Sequence, residues 1–393
     1  MGTVSAPLMI LQVCSARPWT GDAAACFELA KGLSRAGELC TIACSPDSEL
    51  RRRALAAGLR ILPVVIRGEA DWVAAKTLRS FVEAHDVDVL HAHDRVALAV
   101  TALAGRGQPA RRVVSCSSHA PIAGRLGRWA LRLGADHVLA TSLASRRAVL
   151  ASGVPLSRVS VVLRGTAIPP DRRNRAHNHT GTGPSAARWL MADQARARRA
   201  QLGIGPGDHP VIGTMGSLIP GKGIEDLIHA VRLMLPAHPR LTLVVIGDGP
   251  EQNALGALIT RAGLGDSVRL AGFIDHGANA LPEFDVYCAP AVTRPSLGAL
   301  SEALAASRPV VACPMGAVAE LVHHERTGLL APSADPAALA QAISRLLDAP
   351  HWARGLGHAG RRLIRERHSL AGMVSNTRRT YVQLLAAQAT DTC

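Results

Sequence analysis

The sequence predicts an α/β protein of two doubly wound domains, and three observations carry that expectation. Its 393 residues exceed what one hydrophobic core usually supports. Short apolar runs of strand length alternate with helical periodicities through both halves, the pattern of parallel strands joined by helical crossovers. The alternation breaks once, from Pro169 to about Ala200, where Pro, Asn, His, Gly and Arg replace any apolar period until Trp189 to Met191.

In the first half, strand Leu8 to Val13 is followed by helix Ala23 to Ala36, strand Cys40 to Cys44, helix Leu50 to Ala57 and strand Leu59 to Val65. Strands Val87 to His91 and Arg112 to Cys116, helix Gly124 to Leu133, strand His137 to Ala140, helix Leu143 to Ala151 and strand Val159 to Leu163 complete one doubly wound domain. The second half restarts with strand Val211 to Met215, helix Gly223 to Leu235, strand Leu241 to Ile246, helix Glu251 to Ala262 and strand Val268 to Gly272. Strand Val286 to Ala289, a helix carrying Glu302, strand Val310 to Cys313, helix Pro336 to Leu347 and two basic helices, Ala353 to Arg365 and Ala371 to Ala387, finish the chain. The expected division is 1–168, a linker or insertion at 169–204, 205–370, and a last helix at 371–393.

Bulk properties narrow the class. The longest apolar runs, such as Val96 to Ala104, fall well short of the roughly 18 to 20 residues that a bilayer needs, so a soluble or peripheral protein is expected. The amino terminus lacks the charged region of a signal peptide, and Ala6 stands where a myristoylation signal wants Ser or Thr. The eight cysteines are scattered with no Cys-x-x-Cys pair and read as reduced core residues of a cytoplasmic protein. The net charge of +14 comes with few aromatics and no recognisable nucleic-acid module, so nucleic acid is not an expected partner. Arg125, Arg128 and Arg132 share one helical face with Trp129 at its edge, which fits either an anionic membrane surface or a solvated face.

Candidate ligand residues collect where strands end. Glu302 follows the strand Val286 to Pro290, placing a carboxylate near the start of a helix, where an α/β protein holds ligand hydroxyls. The turn Gly216 to Gly223 puts Lys222 at a helix amino terminus, suited to a phosphate. Gly247 to Glu251 caps the next strand but is not a full Gly-x-Gly-x-x-Gly, and Trp19 to Asp22 forms the corresponding loop of the first half. His91 and His93 share a strand face, yet no third ligand stands at a suitable spacing, and no metal is expected. His323 and His324 read as surface residues.

Taken in order, these stretches resemble retaining glycosyltransferases of the GT-B fold, most closely glycosyltransferase family 4. Glu28 to Gly37, Val87 to Asp94, Gly216 to Gly223, Gly247 to Pro250, Gly272-Phe273, Ser301 to Ala305, Thr327 to Pro332 and Asp335 to Leu339 carry the likeness over nearly the whole chain. The resemblance implies two Rossmann-like domains facing across a cleft that holds a nucleotide-sugar donor, with the last helix crossing back to the first domain. Glu302 matches the second Glu of the family's Glu-x7-Glu motif and would accept hydrogen bonds from the ribose. Lys222 matches the diphosphate-binding lysine, with Gly216, Ser217, Gly247 and Gly298 in the same donor loops. Gly21 lies in the loop approaching donor phosphate or acceptor, Phe273 falls beside the nucleobase, and His119 resembles the histidine that reaches the donor sugar. No cofactor or metal is implied, because Lys, Arg and helix dipoles neutralise the leaving diphosphate.

Three positions depart from the family pattern. Arg294 stands where the first Glu of the motif would be, Ser217 where a second diphosphate-binding arginine is usual, and Thr20 in place of the first glycine of the amino-terminal pair. Arg294 then joins Lys222 and His119 as a candidate catalytic residue, toward either the diphosphate or an acidic group on donor or acceptor. The implied activity is transfer of a sugar to an acceptor hydroxyl with retention. Cell-envelope glycan, lipopolysaccharide or glycolipid assembly at the inner face of the plasma membrane suits the basic charge. The alternative left open by Ser217 and Arg294 is a GT-B protein without turnover, serving as a binding partner in a glycan-assembly complex.

Overall fold

A computed structural model describes residues 6–117, 131–132, 134–169 and 184–391, by backbone alone at 184–192 and 389–391. The chain divides into two compact units, residues 1–165 with 368–393, and residues 166–367.

The first unit carries β1 (Met9–Val13), α1 (Gly21–Arg35), β2 (Leu39–Cys44), α2 (Glu49–Ala56), β3 (Arg60–Pro63), α3 (Trp72–Ala84) and β4 (Val89–Ala92). It continues through α4 (Arg95–Ala104), β5 (Arg111–Cys116), β6 (His137–Ala140), α5 (Leu143–Ala151) and β7 (Val159–Val161). All seven strands run parallel in the order β3-β2-β1-β4-β5-β6-β7, so the order reverses between β1 and β4. Strands covered on both faces bury successive residues alternately above and below. Leu11, Val13, Leu90 and Ala92 enter one core, and Ile10, Cys14, Val89 and Val113 the other.

The second unit carries α6 (Pro184–Gln201), β8 (Val211–Met215), α7 (Ile224–Met234), β9 (Thr242–Ile246), α8 (Gln252–Arg261), β10 (Val268–Gly272) and β11 (Val286–Ala289). After these come α9 (Leu297–Ala305), β12 (Val310–Ala312), α10 (Val318–Leu321), β13 (Leu329–Leu330), α11 (Pro336–Asp348) and α12 (Pro350–Arg367). Its six strands are again parallel, ordered β10-β9-β8-β11-β12-β13, with the reversal between β8 and β11. The same alternation sends Ile212, Leu243, Val286 and Val311 to one face, and Val211, Val244, Tyr287 and Val310 to the other.

The last helix, α13 (Leu370–Asp391), belongs to the first unit, where Met373, Val374 and Tyr381 enter the core beside α1. Tyr381 Oη lies 2.6 Å from His91 Nδ1, and Arg378 pairs with the buried Glu38 carboxylate. Glu38 in turn accepts the Leu8 backbone N–H at 2.6 Å, tying the helix to the first strand.

Several elements differ from the sequence expectation. Helices α3 and α4 stand where none was expected. The signal for α3 was present in Asp71, which caps it through Ala74 N, and in buried Ala74, Leu78 and Val82 four residues apart. Helix α4 is apolar almost all round, so a 3.6-residue period has little contrast to show. The segment expected as linker or insertion contains α6, and its Leu202 and Ile204 are buried in the second unit's core. The expected helix Gly124 to Leu133 falls mostly outside the described residues, as do Arg125, Arg128 and Trp129; Arg132 alone of that arginine face is described. Among the described residues, no helix is long and apolar enough to cross a membrane. Seven cysteines are described, all buried and none in a disulfide, and burial pushes the Cys40 and Cys116 thiols up to about 12.

Candidate functional site

In the second unit the strand order reverses between β8 and β11, and their carboxyl ends open onto a crevice of about 20 Å³. Gly216, Lys222, Tyr287, Pro290 and Ser296 line it. Backbone contact between turns sets its shape. Gly223, the N-cap of α7, adopts φ +70°, and a Cβ there would overlap the Pro290 carbonyl oxygen. Only a residue without a side chain lets the β8–α7 turn rest against the end of β11.

Lys222 is half-buried, and its Nζ donates to Ser296 Oγ at 2.8 Å. Burial, and then the positive charge of Arg294, lower its pKa from the ordinary lysine value. Ser296 is the N-cap of α9, yet its side chain makes no cap hydrogen bond. The hydroxyl is turned to the lysine, leaving the helix amino terminus without a side-chain cap and with its positive dipole end beside the ammonium.

The loop after β11 is fastened to the lysine turn: Val292 and Thr293 N–H groups each donate to Gly221 O at 3.0 Å, and Arg294 N–H at 3.4 Å. Arg294 is exposed, as is Ser217, which lines the same crevice as Lys222. Gly298 is the second residue of α9, and Glu302 lies further along, half-buried. Burial first, and Glu302's charge as well, push the phenol of buried Tyr287 up, and that phenol donates to Met215 O at 3.5 Å.

Neighbouring strand ends are laced to the same turn. Leu218 N–H donates to Asp248 O at 2.7 Å and Glu251 N–H to Leu218 O at 3.0 Å. Gly247 N–H donates to Gly272 O at 2.8 Å, which sets Phe273, 54% exposed, at the end of β10. Gly216, Ser217, Lys222, Gly247, Phe273, Arg294 and Gly298 therefore gather beyond the carboxyl ends of one sheet's strands, while Glu302, expected near a helix start, is the sixth residue of α9. Gly21 lies in the other unit, and His119 lies outside the described residues.

The first unit has its own crevice where β1 and β4 end, of about 40 Å³, lined by Asp22, His93, Ser115, Arg164, Met373 and Thr377 among others. Gly21 opens α1 so close to Arg164 that a Cβ would stand 3.2 Å from Nη1. Trp19 anchors the preceding loop, with the Arg53 guanidinium 4.2 Å above its ring and Phe27 edge-on at 5.9 Å. His93 is buried and hydrogen-bonded to Gln12 Oε1, and burial holds its pKa down to about 4. Burial, and then His93, lower the pKa of His91, which is bonded to Tyr381 and to Ser115 Oγ at 2.9 Å. Among the described residues no three His, Cys, Asp or Glu side chains group as metal ligands. His323 is half-buried, while exposed His324 serves the fold by accepting Leu330 N–H at 3.0 Å.

Sequence reasoning missed Ser296 and Arg164. Serine before an apolar helical run signals an N-cap, so Ser296 reads as a structural residue until its partner is seen. Arg164 follows the last strand of its sheet in a stretch with no motif.

Two doubly wound parallel-sheet units, each with a crevice at its strand-order reversal, are the architecture of GT-B glycosyltransferases. Residues 20–168 match the family model described as Glycosyltransferase Family 4, and residues 209–349 the one described as Glycosyl transferases group 1. The chain belongs to this family. It is 29% identical over 259 residues to the 2-deoxystreptamine glucosyltransferase of Streptomyces kanamyceticus, covering 64% of this chain but only 62% of that protein. Identity is 28% over 331 residues to the GDP-mannose-dependent alpha-(1-6)-phosphatidylinositol monomannoside mannosyltransferase of Mycolicibacterium smegmatis, covering 80% of this chain and 81% of that one. Among solved structures, Anabaena Alr3699/HepE in complex with UDP and glucose shares the fold, with TM-score 0.78 at 20% identity over 95% of this chain and 99% of its own.

Proposed function

We propose that the chain is a retaining glycosyltransferase that moves a sugar from a nucleotide-sugar donor to an acceptor hydroxyl, without metal or other cofactor. The observation that carries this reading is the half-buried Lys222 ammonium, held by Ser296 at the strand-order reversal of the second unit, beside an uncapped helix amino terminus. A diphosphate fits that chemistry, because ammonium, free N–H groups and dipole all favour negative charge. Glu302 would take the ribose hydroxyls, the backbone beside Phe273 the nucleobase, and the turns at Gly216, Gly247 and Gly298 the phosphates.

In the reaction, the bond from the anomeric carbon to the diphosphate oxygen breaks as the bond to the acceptor oxygen forms. The acceptor's proton passes to the departing phosphate oxygen, so no protein nucleophile is required. Lys222 stabilises charge that grows on the leaving group, which lowers the barrier rather than merely tightening ground-state binding. Gly21 and His119 are assigned to the sugar and acceptor side.

The named relatives differ in acceptor, 2-deoxystreptamine for one and phosphatidylinositol monomannoside for the other. A glycan or lipid-linked acceptor in cell-envelope, lipopolysaccharide or glycolipid assembly is the class proposed here, reached from the cytoplasmic face of an anionic membrane. The charge of +14 supports that placement. A second reading, a partner protein without turnover, is favoured only by uncharged, exposed Ser217 and by Arg294 at motif positions.

The test is a thermal-shift panel of UDP, GDP, ADP and CMP with their common sugars, followed by donor turnover with lipid-linked and oligosaccharide acceptors. A ligand at 100 times its Kd stabilises by about 2.7 kcal/mol. A shift with one nucleotide that disappears in Glu302→Ala supports the donor site; well-folded protein that responds to none of them refutes it.

A further inference from the structure

We propose that Arg294 is the second diphosphate cation of this site, completing with Lys222 the neutralisation of the donor's two phosphate charges. The inference rests on the donor reading above and adds a residue to it.

A nucleoside diphospho-sugar carries one formal negative charge on each phosphate. Lys222 supplies one positive charge, and Ser217, on the same turn, supplies none. The guanidinium of Arg294 makes no hydrogen bond or ion pair with any of the described residues, so its donors are available to a ligand. Its placement is fixed by main chain. The three N–H groups of Val292, Thr293 and Arg294 converge on the carbonyl of Gly221, the residue directly before Lys222. A side chain at Gly221, which adopts φ +85°, would overlap Thr293 Oγ1, so this close approach of the two loops depends on glycine there.

The two cations are close enough that Arg294 contributes to the lowered pKa of Lys222, after burial. Like charges held together without an anion repel, and a bound diphosphate turns that repulsion into attraction at both ends. Lys222 is half-buried and Arg294 exposed, giving one inner and one rim cation. A diphosphate bridges them, whereas the nucleoside is uncharged at neutral pH and needs neither. The charge count closes on the diphosphate alone, so no acidic sugar is required to explain the arginine.

The experiment is titration calorimetry on the full chain, comparing wild type with Arg294→Gln and Arg294→Lys. The probes are a nucleoside monophosphate, the diphosphate, a neutral diphospho-sugar and a diphospho-uronate, for example UMP, UDP, UDP-glucose and UDP-glucuronate, in the base series that the wild type prefers. Loss of a charge-assisted contact is expected to weaken the diphosphate and both diphospho-sugars alike, by roughly 10- to 100-fold. The monophosphate should weaken less, and Arg294→Lys should recover most of the affinity. Unchanged Tm is expected, since the guanidinium holds nothing in the fold. Unaltered diphosphate affinity in Arg294→Gln overturns the proposal. A loss confined to the uronate also overturns it, assigning Arg294 to the sugar's carboxylate instead. If the wild type binds no nucleotide at all, the donor reading fails first and this inference with it.

Discussion

Replacing Ser296 by alanine separates a ligand-positioning hydroxyl from a helix cap. The side chain accepts from Lys222 Nζ at 2.8 Å and makes no cap hydrogen bond to its own helix. A hydrogen bond to a charged group contributes about 1.5 to 3 kcal/mol, and at about 1.4 kcal/mol per decade that is roughly one to two decades in affinity. In the free protein, water can reach the half-buried ammonium and replace the hydroxyl, so the stability loss should stay within about 1 kcal/mol. In the complex the ammonium must point at a phosphate, and there the missing orientation is felt. Calorimetric titration of the preferred nucleoside diphosphate should give a Kd raised about tenfold or more, while urea unfolding changes little. Ser296→Asp should bind more weakly still, because a carboxylate beside Lys222 competes with the ligand. If Ser296→Ala keeps its affinity and instead loses more than about 1 kcal/mol of stability, the serine is a cap and the positioning argument is wrong.

Acid should destabilise the first unit. His93 is held down to about 4 and His91 below its ordinary value, both by burial, so the unfolded chain binds more protons between about pH 4 and 6.5 and stability falls as pH drops through that window. For His93 alone the loss is about 3 kcal/mol at about 1.36 kcal/mol per pH unit; urea midpoints that stay flat from pH 7 to 4.5 would contradict it. Tyr381→Phe leaves His91 Nδ1 without its partner and should cost about 1 to 3 kcal/mol in the unfolding of that unit, with nucleotide affinity unchanged. Gly223→Ala combines φ +70° with overlap on the Pro290 carbonyl, so a loss of about 2 kcal/mol or more and at least tenfold weaker nucleotide binding are expected. Gly256→Ala in α8, where a Cβ meets open space, should be neutral or stabilising in the same assays.

How legible each part was follows from what its residues do. The central strands could be read because a parallel strand buried on both faces is a near-continuous apolar run, as β8 and β9 are apart from the buried Thr214 and Thr242. Lys222 was legible as a helix-start residue because it directly precedes Gly223, the N-cap of α7, whereas Glu302 stands in the second turn of α9, deeper in the helix than its place after a strand suggested. Ser296 was not legible, since the residue that accepts from a lysine and the residue that caps a helix are the same serine in sequence. Helix α6 was obscured by the composition around it, whereas buried Leu202 and Ile204 just beyond its end carry the packing. Arg164 meets Gly21 only through folding, across more than 140 residues of chain, and nothing local announces it.

The three departures from the family pattern become intelligible once backbone and side-chain requirements are separated. Thr20 has extended backbone, φ −98° and ψ 171°, and its Oγ1 accepts Ala23 N–H at 3.2 Å, so it starts α1 as a cap and no glycine is needed there. Gly221 and Gly223 cannot change in this way, because each holds positive φ and has another residue's atoms where a Cβ would go. The turn geometry therefore admits little variation, whereas the side chains mounted on it can exchange, provided two cations still face the diphosphate. Ser217 and Arg294 together satisfy that condition: one position lacks a cation, and another on the adjoining loop, fastened to the same turn through Gly221, supplies it. Two independent losses would leave Arg294 with no reason to stand beside Lys222 against its repulsion. A combined Ser217→Arg and Arg294→Gln variant decides between these accounts. Compensation requires Ser217→Arg to tighten diphosphate binding more in the Arg294→Gln background than in the wild type, whereas two independent losses make the gain the same in both.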